Sequence, residues 1–140
     1  MNSKKMPSKK QCLHILIAGG DCGSQKFISE YLTKKYPEFA LLTTSVNDVI
    51  DFIKCCMDGE HDIVFLDVLA PEMDGLRVSS VVKGRKPHLY IVAVVAAIGD
   101  LPKKYQQFGI EDLVTKPICE EKLSLVIEEA IKRKKQKVEV

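Results

Sequence analysis

The segment IVFLDVLAPEMDG, residues 63–75, joins an apolar run to a polar, turn-forming stretch. Its four apolar residues followed by Asp67 are typical of a strand that is buried on both faces and ends at a carboxylate. Pro71 and the pair Asp74-Gly75 indicate a loop, after which a short helix is expected. The segment therefore predicts a strand that presents one acidic side chain at its carboxyl end.

Apolar runs of this kind alternate with helix-period segments along the rest of the chain. The runs predicted as strands are residues 13–18, 39–44, 63–66, 89–96 and 112–115. The predicted helices run from an N-cap at Ser24 to a stop before Pro37, over 49–58, after Gly75, over 102–108 with Gly109 as the stop, and from about Glu120 onward. Because continuous apolar strands need cover on both faces, this order predicts a doubly wound α/β fold with five parallel strands.

The length of 140 residues, 46% of them hydrophobic, is expected to form one domain with its own core. We expect residues 1–11 to be a disordered basic arm, residues 12–135 to be the domain and residues 136–140 to be a tail, with no second domain attached. The net charge of +2 indicates no single-sign field. The longest apolar run, residues 89–98, is too short to span a bilayer, so no membrane segment is expected.

Five cysteines occur at positions 12, 22, 55, 56 and 119, without a Cys-x-x-Cys pair. An odd number without a secretory leader indicates reduced thiols in the cytosol, where we expect them to be mostly buried small hydrophobic residues. The three histidines are scattered, and the cysteines lack the spacing of zinc ligands. A metal cluster built from these residues is therefore not expected.

The pattern D-x-x-x-P-x-M-D-G that begins at Asp67, followed by Thr115-Lys116-Pro117, resembles the receiver domain of two-component response regulators. The resemblance covers roughly residues 12–135. It includes ILIAGGD at residues 15–21 and FGIEDLVTKPI at residues 108–118. It implies a flavodoxin-like sheet of strand order 2-1-3-4-5 and a phosphorelay signalling module rather than an enzyme.

The resemblance also implies roles for the residues at the strand ends. Asp67 would accept a phosphoryl group from a phosphohistidine, and the Lys116 ammonium would contact the phosphoryl oxygens. A cis Lys116-Pro117 peptide bond is expected from the same resemblance. From spacing alone, Asp67 could equally cap a loop or form an ion pair with Lys116.

Three departures from the family pattern predict a degenerate receiver, or pseudo-receiver. The acidic pair that helps to hold a divalent ion aligns with Gly19 and Gly20, which leaves Asp21 one position further along. Asp21 could join Asp67 as a metal ligand if the two glycines turn the chain inward, but a role as a cap of the first helix is the favoured interpretation. We therefore expect Mg²⁺ to bind weakly.

The other two departures concern the residues that report phosphorylation in the family. Val95 aligns with a Thr or Ser whose hydroxyl hydrogen-bonds the phosphoryl group, and valine has no donor. Leu113 aligns with an aromatic residue that swings inward on activation, and an aliphatic side chain there can remain buried. Asp67 is therefore expected to be phosphorylated poorly and to lack the usual switch.

The expected function is a stand-alone receiver whose partners are a histidine kinase or a histidine phosphotransfer protein, in the cytoplasm. The alternative is a protein-interaction scaffold that is not phosphorylated. Gly19, Gly20 and Gly23 leave open a flavin- or nucleotide-binding protein, but they lack both the Rossmann and the Walker spacing. The lysine-rich ends leave a nuclear location open, whereas nucleic acid binding is not expected because no aromatic residues interleave the lysines.

Overall fold

The computed structural model describes residues 11–19, 22–67, 75–95 and 102–139. Ten elements alternate along these residues. In chain order they are β1 (Gln11–Ala18), α1 (Cys22–Lys35), β2 (Phe39–Val46), α2 (Val49–Asp58), β3 (Ile63–Asp67), α3 (Gly75–Arg85), β4 (Ile91–Val95), α4 (Pro102–Gln107), β5 (Asp112–Thr115) and α5 (Glu120–Glu139).

The strands form one five-stranded sheet of order β2-β1-β3-β4-β5, in which every neighbouring pair is parallel. This confirms the predicted doubly wound fold with order 2-1-3-4-5. The central strand β3 lies between β1 and β4, so its backbone is paired along both edges. Because all strands run the same way, their carboxyl ends meet at one edge of the sheet.

Successive side chains of the central strands point into two separate apolar clusters. In β3, Ile63 and Phe65 belong to the cluster covered by α1 and α5, whereas Val64 and Leu66 belong to the cluster covered by α2, α3 and α4. All four side chains have no exposed surface. Each such burial contributes roughly 1.5–3 kcal/mol relative to an exposed side chain, so the two-sided core is what holds β3 in place.

Several boundaries differ from the predicted ones. Helix α1 begins at Cys22, so the prediction of Ser24 as its N-cap is wrong; Ser24 is the third residue of the helix, within its first turn. Strand β4 begins at Ile91 rather than at Leu89, because the Leu89 N–H donates to the Lys86 carbonyl in a turn. Leu89 and Tyr90 are buried all the same, and an apolar run records burial rather than strand geometry.

The chain ends were predicted less well than the centre. Helix α5 continues to Glu139, past the domain end predicted at residue 135, and β1 already includes Gln11. The basic arm predicted for residues 1–10 lies outside the described residues. No helix among those that the structure describes is long and apolar enough to cross a membrane.

The cysteine prediction needs correction. Cys56 is buried and Cys55 is half-buried, but Cys12 and Cys119 are exposed, at the edge of β1 and just before α5. Burial raises the pKa of the Cys56 thiol to about 12, which keeps it protonated near neutral pH. All four of these thiols are free. Among the cysteine side chains that the structure describes, the expected burial holds for the α2 pair, and the reduced state in the cell stays a prediction.

Helix α5 is anchored at the amino end of the sheet by charged groups. The Arg133 guanidinium lies 4.1 Å from the centre of the Tyr90 ring and forms 2.8 Å ion pairs with Glu111 and Glu129. The Tyr90 hydroxyl donates to Asp112 at 2.8 Å. These contacts join β4, β5 and α5 at the end of the sheet opposite to Asp67.

His61, just before β3, makes the same end of the molecule sensitive to acid. Burial, followed by the nearby His14, lowers the pKa of His61, and its Nδ1 is buried with no hydrogen-bond partner among the described residues. A histidine whose folded pKa lies below its unfolded value is protonated more readily in the unfolded chain. The free energy of unfolding therefore keeps its full value above the unfolded pKa of about 6.5. It decreases as the pH falls from there through the folded pKa of His61.

We therefore expect the free energy of unfolding to decrease as the pH falls below about 6.5, and the decrease to be smaller in His61→Gln. Urea denaturation at a series of pH values measures this slope. His88→Gln, at an exposed position, is the matched control for loss of an imidazole. A slope that persists unchanged in His61→Gln would assign the acid sensitivity to other groups.

Candidate functional site

Asp67 is the last residue of β3 and lies at the edge where the carboxyl ends of the strands meet. Only 6% of its side chain is exposed, although its neighbours within the strand are entirely apolar. Asp67 is in register with Val94 of β4. A carboxylate enclosed in this way needs charged or polar partners, because burial disfavours an uncompensated charge.

Lys116 supplies one such partner from the end of β5. Its ammonium donates to Asp67 Oδ2 at 2.8 Å, across 49 residues of sequence. The Lys116 N–H donates to the Val95 carbonyl at 2.8 Å, which holds the start of the loop against β4. The Lys116-Pro117 bond is cis, as the family resemblance implies. The structure thus brings together the two residues predicted to carry the chemistry.

The two partners differ in their access to solvent. The Lys116 side chain is 29% exposed, whereas Asp67 is nearly enclosed. The ammonium has three donors and can contact further oxygens beside the carboxylate. The Lys116 ammonium can therefore contact a phosphoryl-type oxyanion at this edge of the sheet while it remains near Asp67.

The end of β1 is built from backbone rather than from carboxylates. Gly19 has φ +74°, and its N–H donates to the Val46 carbonyl at 2.8 Å. The Gln25 amide donates to the Gly19 carbonyl at 2.9 Å and so ties α1 to this turn. A residue with a side chain would be strained at a φ of this sign. The turn thus suits a glycine at position 19.

Residues of α1 also face Asp67. Ser24 and Gln25 line a narrow crevice that includes Asp67, Phe65 and Val94. The sequence reasoning missed Gln25 and assigned Ser24 to a cap. Both residues lie in the first turn of the helix that follows β1. Their closeness in sequence to that strand end is the signal that could have identified them.

Val95 and Leu113 lie on the side of the sheet that α2, α3 and α4 cover. Val95 is 2% exposed, and the half-buried Leu113 packs against the same cluster. Thr115, which the sequence reasoning also missed, is in register with Val95. Adjacent strands lie about 4.8 Å apart, so Thr115 places a hydroxyl one strand away from Val95.

The described residues offer few side-chain oxygen ligands for Mg²⁺ at this edge of the sheet. Mg²⁺ requires near-octahedral oxygen ligands, yet no group of three or more His, Cys, Asp and Glu residues suited to a metal occurs in the described ranges. Asp67 is the one candidate ligand described at this edge, and its carboxylate already contacts an ammonium. The predicted second ligand, Asp21, lies outside the described residues.

The sequence model of the Response regulator receiver domain matches residues 15–128. The chain belongs to the response regulator receiver family. Receiver domains take part in two-component signalling, interact with histidine kinases or phosphotransfer proteins, and typically bind Mg²⁺ at the phosphorylation site. The coarse prediction of a receiver domain is thereby confirmed.

Similar curated proteins include a fungal transcription factor and a bacterial regulator. Transcription factor SKN7 of Candida albicans is 23% identical over 128 residues, which are 91% of this receiver and 22% of the factor. The sensory transduction protein LytT of Enterococcus faecalis is 27% identical over 126 residues, which are 90% of this receiver and 51% of LytT. The receiver thus spans only part of these relatives.

Solved structures of receiver domains share the fold. The signal receiver domain of the DNA-binding response regulator merR from Colwellia psychrerythraea 34H has a TM-score of 0.74 at 19% identity, with coverage of 86% of this receiver and 98% of that chain. The BeF3-activated DrrB receiver domain has a TM-score of 0.73 at 21% identity, with coverage of 87% and 99%. Both agree with this receiver along nearly their whole length.

Lys116→Gln is expected to lower the free energy of unfolding by about 1–3 kcal/mol, because it removes a charged partner from an enclosed carboxylate. Urea denaturation of Lys116→Gln, Asp67→Asn and the double variant measures the coupling in a double-mutant cycle. Lys122→Gln is the matched control. Its ion pair with Asp112 is 3.6 Å long and 40% and 39% exposed, so its loss should cost less than about 1 kcal/mol. Equal losses in Lys116→Gln and Lys122→Gln would contradict a special role for the Asp67 pair.

Proposed function

We propose that this receiver accepts a phosphoryl group on Asp67 and that its metal-binding and switch positions are impaired. The observation that carries the proposal is the Lys116 ammonium 2.8 Å from the enclosed Asp67 carboxylate at the carboxyl end of the central strand. This arrangement offers a nucleophilic oxygen and a positive charge for phosphoryl oxygens at one place.

The proposed reaction transfers a phosphoryl group from a phosphohistidine or a small acyl phosphate. A carboxylate oxygen of Asp67 attacks the phosphorus and forms an acyl phosphate. The bond from phosphorus to the donor nitrogen or oxygen breaks, and its electron pair leaves with the donor. Lys116 shifts its ammonium from the carboxylate toward the phosphoryl oxygens and offsets part of their charge as a point charge.

Mg²⁺ would add charge neutralisation when it is bound, and we propose that this binding is weak. Asp67 and Asp21 are the carboxylates that we propose as its ligands. The Gly19 turn, held by Val46 and Gln25, replaces a carboxylate of the family with backbone. Phosphorylation should therefore need more Mg²⁺ than it does in a receiver with the full acidic pair.

The proposed partners are a histidine kinase or a histidine phosphotransfer protein that approaches the strand ends around Asp67 and α1. From its membership of the receiver family, we propose that its output passes through contacts with another protein. Free thiols at Cys12 and Cys119 are consistent with a cytoplasmic location. Nucleic acid is not proposed as a partner.

Intact-mass spectrometry after incubation with acetyl phosphate and Mg²⁺ tests the phosphoacceptor. We expect one phosphate adduct on the wild type, none on Asp67→Asn, and a higher Mg²⁺ requirement than that of an intact receiver labelled in parallel. Asp21→Asn should raise the Mg²⁺ requirement further if Asp21 is a ligand. A wild type without an adduct, beside a labelled control receiver, would overturn the proposal in favour of an unphosphorylated scaffold.

A scaffold is the second candidate function, and the observation that favours it is Val95. This side chain is enclosed in the apolar cluster and has no hydroxyl for a phosphoryl group. Without a hydroxyl at the end of β4, no hydrogen bond could draw this strand end toward a phosphoryl group. The receiver would then keep one conformation whether or not Asp67 is modified. Its partners would then bind a constant surface.

Amide hydrogen exchange of α4 with and without phosphodonor tests whether the switch is impaired, while the mass measurement above decides between phosphoacceptor and scaffold. We expect the exchange of α4 in the wild type to be unchanged by phosphorylation, and Val95→Thr to make it responsive, because the variant restores a donor at the end of β4. Thr115→Val is the control for the neighbouring hydroxyl. A wild-type response that is lost in Thr115→Val would show instead that the switch hydroxyl has moved to β5.

A further inference from the structure

Strand β2 is an open edge of the sheet. It pairs with β1 along its whole length, from Gln11 opposite Phe39 to Ala18 opposite Val46, without a bulge. In the sheet order β2 is terminal, so no other strand of the described chain lies beyond it. An edge of this length presents a row of backbone groups to whatever lies beside it.

The backbone groups that face outward can be identified from one hydrogen bond. The Val46 carbonyl accepts from the Gly19 N–H at 2.8 Å, so Val46 directs its backbone groups toward β1. Alternate residues of a parallel strand bond to opposite neighbours. Phe39, Leu41, Thr43 and Ser45 therefore direct their groups away from β1, and the Phe39 N–H alone among them is already bonded, to the Tyr36 carbonyl at 3.1 Å.

This edge lacks the features that usually prevent strands from associating. The strand FALLTTSV contains no charged residue and no proline. The side chains from Leu42 to Ser45 are exposed, and Leu42, at 48%, is among the few large apolar side chains that reach the surface. Natural edge strands are commonly protected by charges, proline or bulges, so this strand is suited to pairing.

We propose that β2 pairs with β2 of a second copy of this chain in antiparallel orientation, around a two-fold axis at Leu42. This two-fold axis is perpendicular to the sheet. The side chains of two residues that pair across it must therefore lie on the same face of the combined sheet. With Leu42 opposite its own copy, Leu41 pairs with Thr43 and Phe39 with Ser45. In this register, the residues of β2 that direct their backbone groups away from β1 lie opposite residues of the same kind in the other copy.

This register also covers the exposed apolar side chain. Leu42 falls at a position without direct hydrogen bonds, where opposite side chains are closest, about 4.5–5.5 Å between Cβ atoms. The two leucines would bury each other on the face that carries α2. If the axis were at Thr43, Leu42 would lie opposite Thr44, and the two leucines would no longer bury each other.

The charges around the strand ends are complementary in the same arrangement. Lys34, Lys35 and Glu38 lie before β2, whereas Asp48 and Asp51 lie after it, and all five are exposed. Antiparallel pairing brings the start of one strand beside the end of the other. A net positive end thus meets a net negative end twice, which favours a second copy over a neutral peptide.

The dimer is separate from the phosphoryl chemistry. Asp67 lies at the carboxyl end of β3, two strands from the open edge. In the proposed dimer the two Asp67 sites open at opposite ends of one continuous sheet. The dimer thus stands whether or not Asp67 is phosphorylated.

Sedimentation equilibrium of the full chain over a concentration series tests the proposal. We expect the wild type to approach the dimer mass with rising concentration and Leu42→Lys to stay monomeric, because two ammonium groups would face each other on the axis. Leu125→Lys is the matched control, since Leu125 is 64% exposed on α5, and it should retain the dimer. Circular dichroism checks that both variants fold.

Disulfide trapping locates the axis. Oxidised Leu42→Cys should yield a covalent dimer well above the wild-type background from Cys12 and Cys119, whereas Thr44→Cys, which would face Ala40, should not. A wild type that stays monomeric, a dimer that survives Leu42→Lys, or a dimer lost in Leu125→Lys would overturn the proposal. Equal trapping through Thr44→Cys would also overturn it, because the axis would then not pass through Leu42.

Discussion

The alternating side chains of β3 must be buried on both faces of the sheet, and the other elements are arranged around this constraint. A strand such as IVFLD has no polar face to turn toward water, so helices are needed on each side. Helices on both sides require crossovers between parallel strands, and parallel strands bring their carboxyl ends to one edge. The apolar composition of one short strand thus leads to the place where Asp67 and Lys116 meet.

The edge at which the strands end contains one charged pair, and the groups around this pair are backbone, amide or apolar. Lys116 and Asp67 are held by the ends of two strands that are not neighbours, with β4 between them. At the same edge, the turn at Gly19 is stabilised by backbone and amide hydrogen bonds, and the end of β4 is apolar. This edge thus places a charged pair beside a glycine turn and an apolar strand end.

Strongly periodic segments were predicted well, and positions that depend on neighbours were not. The helix α2 and the strand β5 have the predicted bounds, because apolar spacing there reflects one buried stripe or one buried strand. Ser24 was assigned to a cap because serine favours caps, but α1 begins two residues earlier, at Cys22. The exposure of Cys119 depends on how the loop before α5 is placed, which composition does not record.

The order of strands and helices, the parallel sheet and the candidate pair Asp67 and Lys116 could be predicted from sequence, since these follow from local periodicity and from motifs that resemble a family. The contact within that pair, the position of Thr115 beside Val95 and the open backbone groups of β2 became visible in the folded chain. The physical reason is that these features depend on register and on contacts between residues far apart in the chain. Such contacts exist only once both faces of the sheet have been covered.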